Sequence, residues 1–370
     1  MVSVAIVILL AGLVAIYFQC ARLQEKRPVT ASAGLLLLED CDDDFRKPPF
    51  NDTVTLFCSR EDPVRKVSDL NICQTVGGCR AVSVAGRFFT VCENVGNRIG
   101  AYELSTGRRL WSLKGETAGD EFTAATVSPN GLVYALSSHG TIYGDQILVI
   151  DEEGRIARRA SVGGFDLVLD AERGALWLTG KSIKKCDLDL NVLVEVTAVG
   201  WCAVSVDVDR EGAVWVAERD HPNVAGSTNR LLKLSSSGQI LRSIGLSFSP
   251  LCVRVDRSDG SVWVTGKAVS KSAGQRFLDS LEKRTGRLPT GKTLRRFLTR
   301  PNIHPGTRRF DKNGTLLCEI KQGGFSLDLD PVDGSSWIAG DEKVYHYSRQ
   351  GKRLARFRAG SWDKYIVVVP

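Results

Sequence analysis

The stretch that decides the fold is residues 163–180, which read GGFDLVLDAERGALWLTG. Apolar residues alternate up to an Asp, a Gly-containing turn follows, and Trp177 then lies between two further apolar residues. Alternation with a period of two is typical of a half-buried strand, and a Gly turn between two such runs indicates a hairpin. The stretch therefore predicts two antiparallel strands, with Trp177 on the second.

The same hairpin recurs along the chain. Three clear copies place a Trp at the position of Trp177: residues 200–218 with Trp215, residues 250–266 with Trp263, and residues 323–340 with Trp337. Two more degenerate copies are residues 122–137, with Tyr134 at that position, and residues 79–93, with Phe89. Six inner hairpins are thus predicted.

Each inner hairpin is followed by a more polar one with a Gly-centred turn, at Gly107, Gly154, Gly238, Gly314 and Gly351. The third repeat has Asp189-Leu190-Asn191 instead, and we expect Asn191 to adopt the positive φ that glycine adopts elsewhere. Two hairpins form a four-stranded sheet. Because one such sheet cannot bury its own apolar face, repeats of about 40 to 50 residues must stack in a ring, as the blades of a β-propeller do.

The two ends of the chain complement each other. Residues 363–370 predict one innermost strand without a following hairpin, whereas residues 34–38, 53–57 and 64–70 predict three strands without an innermost partner. Joining strands from both termini removes exposed sheet edges. We therefore expect an all-β propeller over residues 34–370, with seven blades favoured over six.

Residues 1–20 precede the propeller and contain an apolar run from Val2 to Phe18, which is just long enough to span a bilayer as a helix. We expect a membrane anchor rather than a cleaved signal segment, because the positive charges follow the run. Those charges favour a cytoplasmic propeller, whereas ten cysteines and the sequons at Asn51 and Asn313 favour the oxidising exterior. We expect the extracytoplasmic side.

Residues 101–111, AYELSTGRRLW, resemble a quinoprotein repeat, and the D-x-x-G-x-V-W-V units resemble NHL-type repeats. The pattern is thus similar to the NHL, YVTN and quinoprotein-like group of propellers over residues 34–370. The resemblance implies the architecture but not one activity, because the group contains lactonases, lyases, quinone-dependent dehydrogenases and binding scaffolds.

In the resembling enzymes, ligands bind at the mouth of the central channel. The residues that follow the second strands here are Lys181, Arg219, Lys267 and Asp341. They predict either an anion-binding rim or a set of solvated charges. A Ca²⁺ site needs several converging oxygen ligands, so we expect no metal or other cofactor, with Ca²⁺ or a quinone as the alternative.

Two candidate groups for catalysis are Glu218 and His221, because they place a carboxylate and an imidazole in one loop between strands. A loop histidine is more often an ordinary surface residue. Residues 286–293 fit the phosphate-binding pattern G-x-x-x-x-G-K-T, but no apolar strand precedes Gly286, so the sequence does not predict a nucleotide-binding loop.

The interval from Trp263 to Trp337 is too long for one blade and predicts an insert at residues 268–309 in blade five. Between Lys267 and Arg309 there are twelve Lys or Arg residues and two acids, whereas the net charge of the whole chain is +7. The insert therefore accounts for the basicity of the chain. Its candidate binding residues are Arg284, Arg287, Lys292, Arg295, Arg296 and Arg300.

These patterns favour a membrane-anchored, non-enzymatic propeller that binds a protein partner, an anionic ligand or lipid through the channel face and the basic insert. Nucleic acid is not expected, because few aromatic residues accompany the cations. The alternative is a propeller enzyme, a lactonase- or lyase-like hydrolase or a quinone-dependent dehydrogenase, acting at the channel mouth.

Overall fold

The computed structural model describes residues 34–39, 52–58, 65–73, 79–85, 88–93, 98–104, 106, 108–116, 120–139, 144–197, 202–220, 229–267, 269–270, 302–303, 306–340, 343–358 and 364–369. The chain divides into residues 1–32 and 33–370, and all described residues lie in the second unit. Among them, no helix is long and apolar enough to cross a membrane. The predicted anchor lies outside the described residues, as do His221, Asp341 and residues 271–301.

Thirty strands make up the described structure. They are β1 (Gly34–Glu39), β2 (Asp52–Cys58), β3 (Arg65–Cys73), β4 (Cys79–Ala85), β5 (Phe88–Glu93), β6 (Arg98–Glu103), β7 (Arg109–Lys114), β8 (Asp120–Val127), β9 (Val133–His139), β10 (Gln146–Ile150), β11 (Ile156–Ala160), β12 (Asp166–Asp170), β13 (Ala175–Thr179), β14 (Ser182–Asp187), β15 (Val192–Thr197), β16 (Cys202–Val208), β17 (Val214–Arg219), β18 (Arg230–Leu234), β19 (Ile240–Gly245), β20 (Ser249–Val255), β21 (Val262–Lys267), β22 (Val269–Ser270), β23 (Asn302–Ile303), β24 (Thr307–Phe310), β25 (Leu316–Ile320), β26 (Ser326–Leu329), β27 (Ser336–Ala339), β28 (Lys343–Tyr347), β29 (Arg353–Arg358) and β30 (Lys364–Val369).

Six blades consist of four antiparallel strands that follow each other in the chain. Blades one to four are β4–β7, β8–β11, β12–β15 and β16–β19, blade five is β20, β21, β24 and β25, and blade six is β26–β29. The first strand of each blade contacts the first strand of the next, so these strands surround a central channel. The predicted all-β propeller of four-stranded blades is confirmed, and each predicted inner hairpin forms the first two strands of a blade.

A further four-stranded sheet combines the two ends of the chain in the order β3-β2-β1-β30. Its register runs from Gly34 opposite Val369 to Glu39 opposite Lys364. Strand β30 also contacts β26 of blade six and β4 of blade one. The sequence favoured seven blades. The structure has six blades of consecutive strands, and this terminal sheet has the strand composition predicted for the closing blade.

The repeated aromatic position on the second strand forms the core between blades. Trp177, Trp215, Trp263 and Trp337 are fully buried, as are Phe89 and Tyr134 in the degenerate copies. The residue directly opposite on the third strand covers the aromatic ring. Lys185, Lys233 and Arg309 place a cation 5.6, 5.1 and 5.7 Å from the ring centroids of Trp177, Trp215 and Trp263. Such contacts stabilise most when they are desolvated, as is that of the buried Arg309, whereas Lys185 and Lys233 are half-buried.

Blade six uses a histidine instead of a cation at this position. The His346 ring stacks on Trp337 with centroids 3.9 Å apart, and Nε2 lies 2.8 Å from Ser335 Oγ. Burial lowers the pKa of His346, which favours the neutral imidazole. His346 is thus a packing residue.

The covering cations also bind the following blade. They donate hydrogen bonds to carbonyls of its outer turn: Lys185 to Ser236 O at 2.9 Å, Lys233 to Lys312 O at 2.7 Å, and Arg309 to Arg349 O at 2.6 Å. All three carbonyls lie two residues before the turn glycine. We call this contact the blade latch: a third-strand cation on the aromatic residue of its own blade, bonded to the outer turn of the next blade.

The outer turns are closed by their first residue and by glycine. In blade five, Asp311 Oδ1 accepts the N–H groups of Asn313 and Thr315, and Gly314 has a φ of +82°. Gly154, Gly238 and Gly351 likewise have positive φ. A register shift adjoins each turn, as expected of a turn followed by a glycine bulge.

Blade three departs from the expected turn chemistry. Leu190, and not Asn191, has the positive φ, at 70°. Asn191 instead donates its backbone N–H to Asp187 Oδ1. The Leu190 side chain is buried in a cluster against which Ala160 of blade two packs. Apolar burial beside this small residue compensates for the backbone strain that an L-residue incurs at positive φ.

Replacing Gly238 by alanine tests the packing of an outer turn. Its φ is +85°, and an added Cβ lies 2.5 Å from Val194 Cγ1 of the preceding blade. We expect Gly238→Ala to lower the free energy of unfolding by about 1–3 kcal/mol in urea denaturation followed by tryptophan fluorescence. The matched control is Gly245→Ala, because an added Cβ there meets no atom within 4 Å. Equal stability of the two variants would contradict the packing argument.

Replacing Arg309 by methionine tests the blade latch. Arg309 is buried and donates to Asp259 at 2.7 Å and to Arg349 O, so its loss removes two charge-assisted hydrogen bonds. We expect Arg309→Met to lower the free energy of unfolding by about 2–4 kcal/mol. The control is Lys312→Met, which removes only an exposed pair with Glu211 at 3.7 Å and should cost less than about 0.5 kcal/mol.

Candidate functional site

Three of the predicted rim residues, Lys181, Arg219 and Lys267, lie at or just after the ends of the second strands of blades three, four and five, and Asp341 lies outside the described residues. Arg219 Nε donates to Ser249 Oγ of the next blade at 3.0 Å. Lys267 Nζ lies 3.5 Å from the centroid of the Phe325 ring, which precedes the first strand of blade six. Lys181 is exposed. Arg219 and Lys267 thus contact the adjoining blade, and an anion-binding rim stays a prediction.

Glu218 is fully buried rather than open to a substrate. Its Oε2 lies 3.1 Å from Nε of Arg230, the residue opposite it on β18. A buried carboxylate that faces a guanidinium in this way is typical of a structural ion pair, because removal of either partner leaves a charge uncompensated. The loop to which His221 belongs lies outside the described residues, so the pairing of Glu218 with His221 stays a prediction.

The basic insert leaves the propeller at the same end. Its base is the two-stranded ribbon of β22 and β23, in which Val269 pairs with Ile303 and Ser270 with Asn302. The connection between the second and third strands of blade five therefore starts and ends as a short ladder. The six candidate residues Arg284, Arg287, Lys292, Arg295, Arg296 and Arg300 lie outside the described residues.

The predicted insert, residues 268–309, overlaps the blade itself. Arg308 and Arg309 belong to β24, the third strand of blade five. Arg309 covers Trp263 in the blade latch, and Arg308 Nη2 donates to Ser247 Oγ at 3.0 Å. Both cations are therefore part of the folded blade, and the charge available in the insert lies between the two strands of the ribbon.

A second polar region lies in the channel, and the sequence patterns did not single it out. The inner edge of each first strand lacks a ladder partner, so its N–H groups need other acceptors. Side chains of the preceding blade supply them. Asp166 accepts from Val206, Asp207 from Val255, and Asp328 from Val368, at 3.2, 2.8 and 2.7 Å. Ser205 and Ser326 accept from Val253 and Ile366 in the same manner.

Arg254 is the cation of this channel cluster, which we define as Asp166, Asp207, Arg254 and Asp328. Arg254 Nε lies 3.7 Å from Asp328 Oδ1, and its side chain is 32% exposed against 21% for Asp328. Burial raises the pKa of Asp328 to about 6, although Arg254 and the Val368 N–H oppose the shift. Burial also raises the pKa of Asp166. Three carboxyls thus share one guanidinium.

A weak signal for this cluster exists in the sequence. Asp207, Arg254 and Asp328 occupy one repeat position, two residues before the Asp that opens the inner turn, and each lies between two apolar residues. Glu218 and the rim cations are more conspicuous in the sequence because they lie at the ends of the apolar second strands. Asp207, Arg254 and Asp328 are less conspicuous because each lies within an apolar strand, but they reach the channel.

Burial raises the pKa of two carboxyls of the channel cluster, Asp166 and Asp328. Among the described residues, no group of three histidine, cysteine or acidic side chains is placed to hold a metal ion. Cys252 is buried with a free thiol, and its pKa is raised by burial, which disfavours the thiolate. The pKa of the Asp328 carboxyl is raised to about 6, which allows this group to exchange a proton near neutral pH.

Replacing Asp328 by asparagine tests the electrostatics of the channel. A carboxyl whose pKa is higher in the folded than in the unfolded chain stabilises the fold fully below about pH 4, and this contribution is lost as the pH rises through about 6. We expect the wild-type protein to lose about 1–2 kcal/mol between pH 5 and pH 7 through this group. Asp328→Asn should reduce that loss, because the amide oxygen accepts the Val368 N–H without charge.

The control for this experiment is Asp311→Asn. The N–H groups of Thr315 and Asn313 lower the pKa of Asp311, so its ionisation stabilises the fold. Asp311→Asn should therefore lower the free energy of unfolding at neutral pH. Asp328→Asn should instead lessen the loss of stability that the wild-type protein shows as the pH rises. Urea denaturation at several pH values measures both. A steeper pH dependence in Asp328→Asn than in wild type would contradict the assigned direction.

No family model and no curated protein matches the chain. Among solved structures, the chain is similar to a protein of unknown function from Bacteroides caccae. The two are 13% identical, the match covers 78% of this chain and 94% of the other, and the TM-score is 0.47. Because the function of that protein is unknown, the similarity assigns no role to the site.

Proposed function

We propose that the protein is a non-enzymatic binding scaffold that holds an anionic partner at the end of the propeller where the basic insert emerges. The observation that carries this proposal is the ribbon of β22 and β23, which attaches the insert to the end that also bears Arg219 and Lys267. Long connections in compact folds are usually functional when a rigid scaffold presents them. The basic residues of the insert favour attraction of phosphate, carboxylate or anionic lipid.

The polar groups of the blades support binding rather than catalysis. Glu218 faces Arg230, Arg219 binds Ser249, and Lys267 lies on Phe325. The Glu218 pair lies within blade four, whereas Arg219 and Lys267 contact the next blade, and all three contacts leave the side chains little freedom to move with a reacting substrate. Between β22 and β23, in contrast, the sequence contains nine Lys or Arg residues and two acids. The propeller is therefore the rigid support in this proposal, and the insert is the contact.

Two further features belong to the same proposal. Residues 1–20 anchor the chain in a membrane, with the propeller on the extracytoplasmic side. The terminal sheet acts as a seventh blade that closes the ring, supported by the contacts of β30 with both β26 and β4. Val368 and Ile366 also donate to Asp328 and Ser326 of blade six, as first strands do between other blades. An anchored, closed ring would present the insert at a fixed end of a rigid body.

A second candidate function is an enzyme that acts in the channel. It is favoured by Asp328, a partly exposed carboxyl with a pKa raised to about 6 and a guanidinium beside it. These are properties of general acid–base groups. A screen of lactone and quinone substrates separates the candidates: turnover by the wild-type protein that Asp328→Asn abolishes, with the fold intact, would favour the enzyme over the scaffold.

Neutralising the insert tests the scaffold proposal. The variant replaces Arg284, Arg287, Lys292, Arg295, Arg296 and Arg300 by glutamine in the full chain. We expect its affinity for phosphatidylserine-containing vesicles and for polyglutamate to fall at least about tenfold, because each basic residue near an anionic surface contributes about 1 kcal/mol. The wild-type affinity should also fall with added salt. Cosedimentation with vesicles and fluorescence anisotropy measure the two interactions.

A matched control replaces six exposed cations of the outer hairpins by glutamine: Arg108, Arg109, Arg242, Lys312, Lys352 and Arg353. The control changes the net charge equally but lies away from the insert. It should retain most of the binding. If both variants bind as the wild-type protein does, the insert is not the contact surface. Loss with polyglutamate alone indicates an acidic protein partner, and loss with vesicles alone indicates a lipid surface.

A further inference from the structure

The outer turn of blade five contains an acceptor sequence for N-linked glycosylation. Asn313-Gly314-Thr315 fits the pattern N-x-T, in which the middle residue is not proline. The turn extends from Asp311 to Thr315, and the Asp311 N–H donates to Thr315 O at 2.8 Å. Such a sequence is informative only where the folded chain leaves room for a sugar. Whether a sugar fits at Asn313 therefore depends on the geometry of this turn.

The residues on either side of Asn313 face the neighbouring blade. Lys312 O accepts the Lys233 ammonium of blade four, and an added Cβ on Gly314 lies 2.7 Å from Arg242 Cδ and 2.8 Å from Ile244 Cδ1. Asn313 lies between them and is exposed. The turn is therefore fixed against β18 through Lys312 and against β19 through Gly314, while Asn313 forms its accessible apex.

Exposed aliphatic side chains adjoin this apex. Leu316 and Leu317, which open β25, are 48% and 50% exposed, and Ile240 and Leu241, which open β19, are 41% and 53% exposed. Both strands are outermost in their blades, so their outer edges have no ladder partner. Edge strands with exposed apolar residues pair readily with other chains unless something covers them. We define Ile240, Leu241, Leu316 and Leu317 as the aliphatic edge.

We propose that Asn313 carries an N-linked glycan that covers the aliphatic edge of blades four and five. The sugar donor is a lipid-linked oligosaccharide diphosphate, used by a membrane-bound transferase. Asn313 Nδ2 attacks C1 of the reducing sugar, the N–C bond forms as the bond from C1 to the phosphate oxygen breaks, and the lipid diphosphate leaves. The amide proton passes to a base of the transferase. The inference rests on the extracytoplasmic location in the proposed function.

The experiment expresses the full chain in eukaryotic secretory cells and measures glycan occupancy by endoglycosidase-sensitive mobility and peptide mass. We expect Asn313→Gln to remove one endoglycosidase-sensitive step, and Thr315→Ser to retain part of it. Asn51→Gln reports separately on the other sequon. Gln350→Asn combined with Lys352→Thr introduces an acceptor sequence at the equivalent, exposed apex of blade six and serves as the positive control.

An empty Asn313 beside an occupied engineered site would overturn the proposal. Two empty sites would also overturn it, because the propeller would then face a compartment without the sugar donor. The shielding role has its own readout: on size-exclusion chromatography, Asn313→Gln should show a larger associated fraction than wild type, and Leu316→Ser with Leu317→Ser should reverse that increase. Binding to vesicles is measured separately, so a failure of the scaffold proposal is distinguishable from a failure of glycosylation.

Discussion

The structure depends on the blade latch. A four-stranded sheet of this sequence exposes a large aromatic residue on its second strand, and it becomes stable only when the next blade covers that residue. In blades three to five the covering group is a cation from the third strand, which lies on the aromatic ring and bonds to a carbonyl in the next outer turn. Packing within one blade and docking of the next are thereby made by the same side chain.

Blade two has one part of the latch without the other. Its third strand has Val149 opposite Tyr134, so no cation is available there. Arg158 of the fourth strand, opposite Val149, instead donates to Leu188 O at 3.1 Å. That carbonyl lies two residues before Leu190, the residue with positive φ, as in the other turns. Blade six shows the converse, because His346 covers Trp337 while its Nε2 faces Ser335 of the same blade, so the two parts of the latch are separable.

The sequence predicted the elements of this structure well because their signals are local. Alternating apolar residues, inner Trp positions and outer Gly turns each depend on a few neighbouring residues, and the structure has them where they were expected. Leu190 could not be predicted from the local turn chemistry, since its side chain is buried in a cluster that includes residues of blade two. The channel cluster was missed for a similar reason. Asp207 accepts a hydrogen bond from the Val255 N–H of the next blade. This contact depends on how the blades pack in the ring and not on the sequence of the strand that contains Asp207.

The polar residues of the ring differ from those of the insert in the contacts that they make with neighbouring blades. Arg219, Lys267 and Arg309 are all suitable for binding anions as residue types, yet each contacts the adjoining blade, so moving any of them would loosen the ring. Asp166, Asp207 and Asp328 supply acceptors to strand edges that have no other partner. Because these charged side chains hold the blades together, we expect ligand binding where side chains can move without breaking a contact between blades. In this chain the sequence contains nine Lys or Arg residues and two acids between β22 and β23, and for that reason we propose the insert, before any group of the ring, as the binding surface.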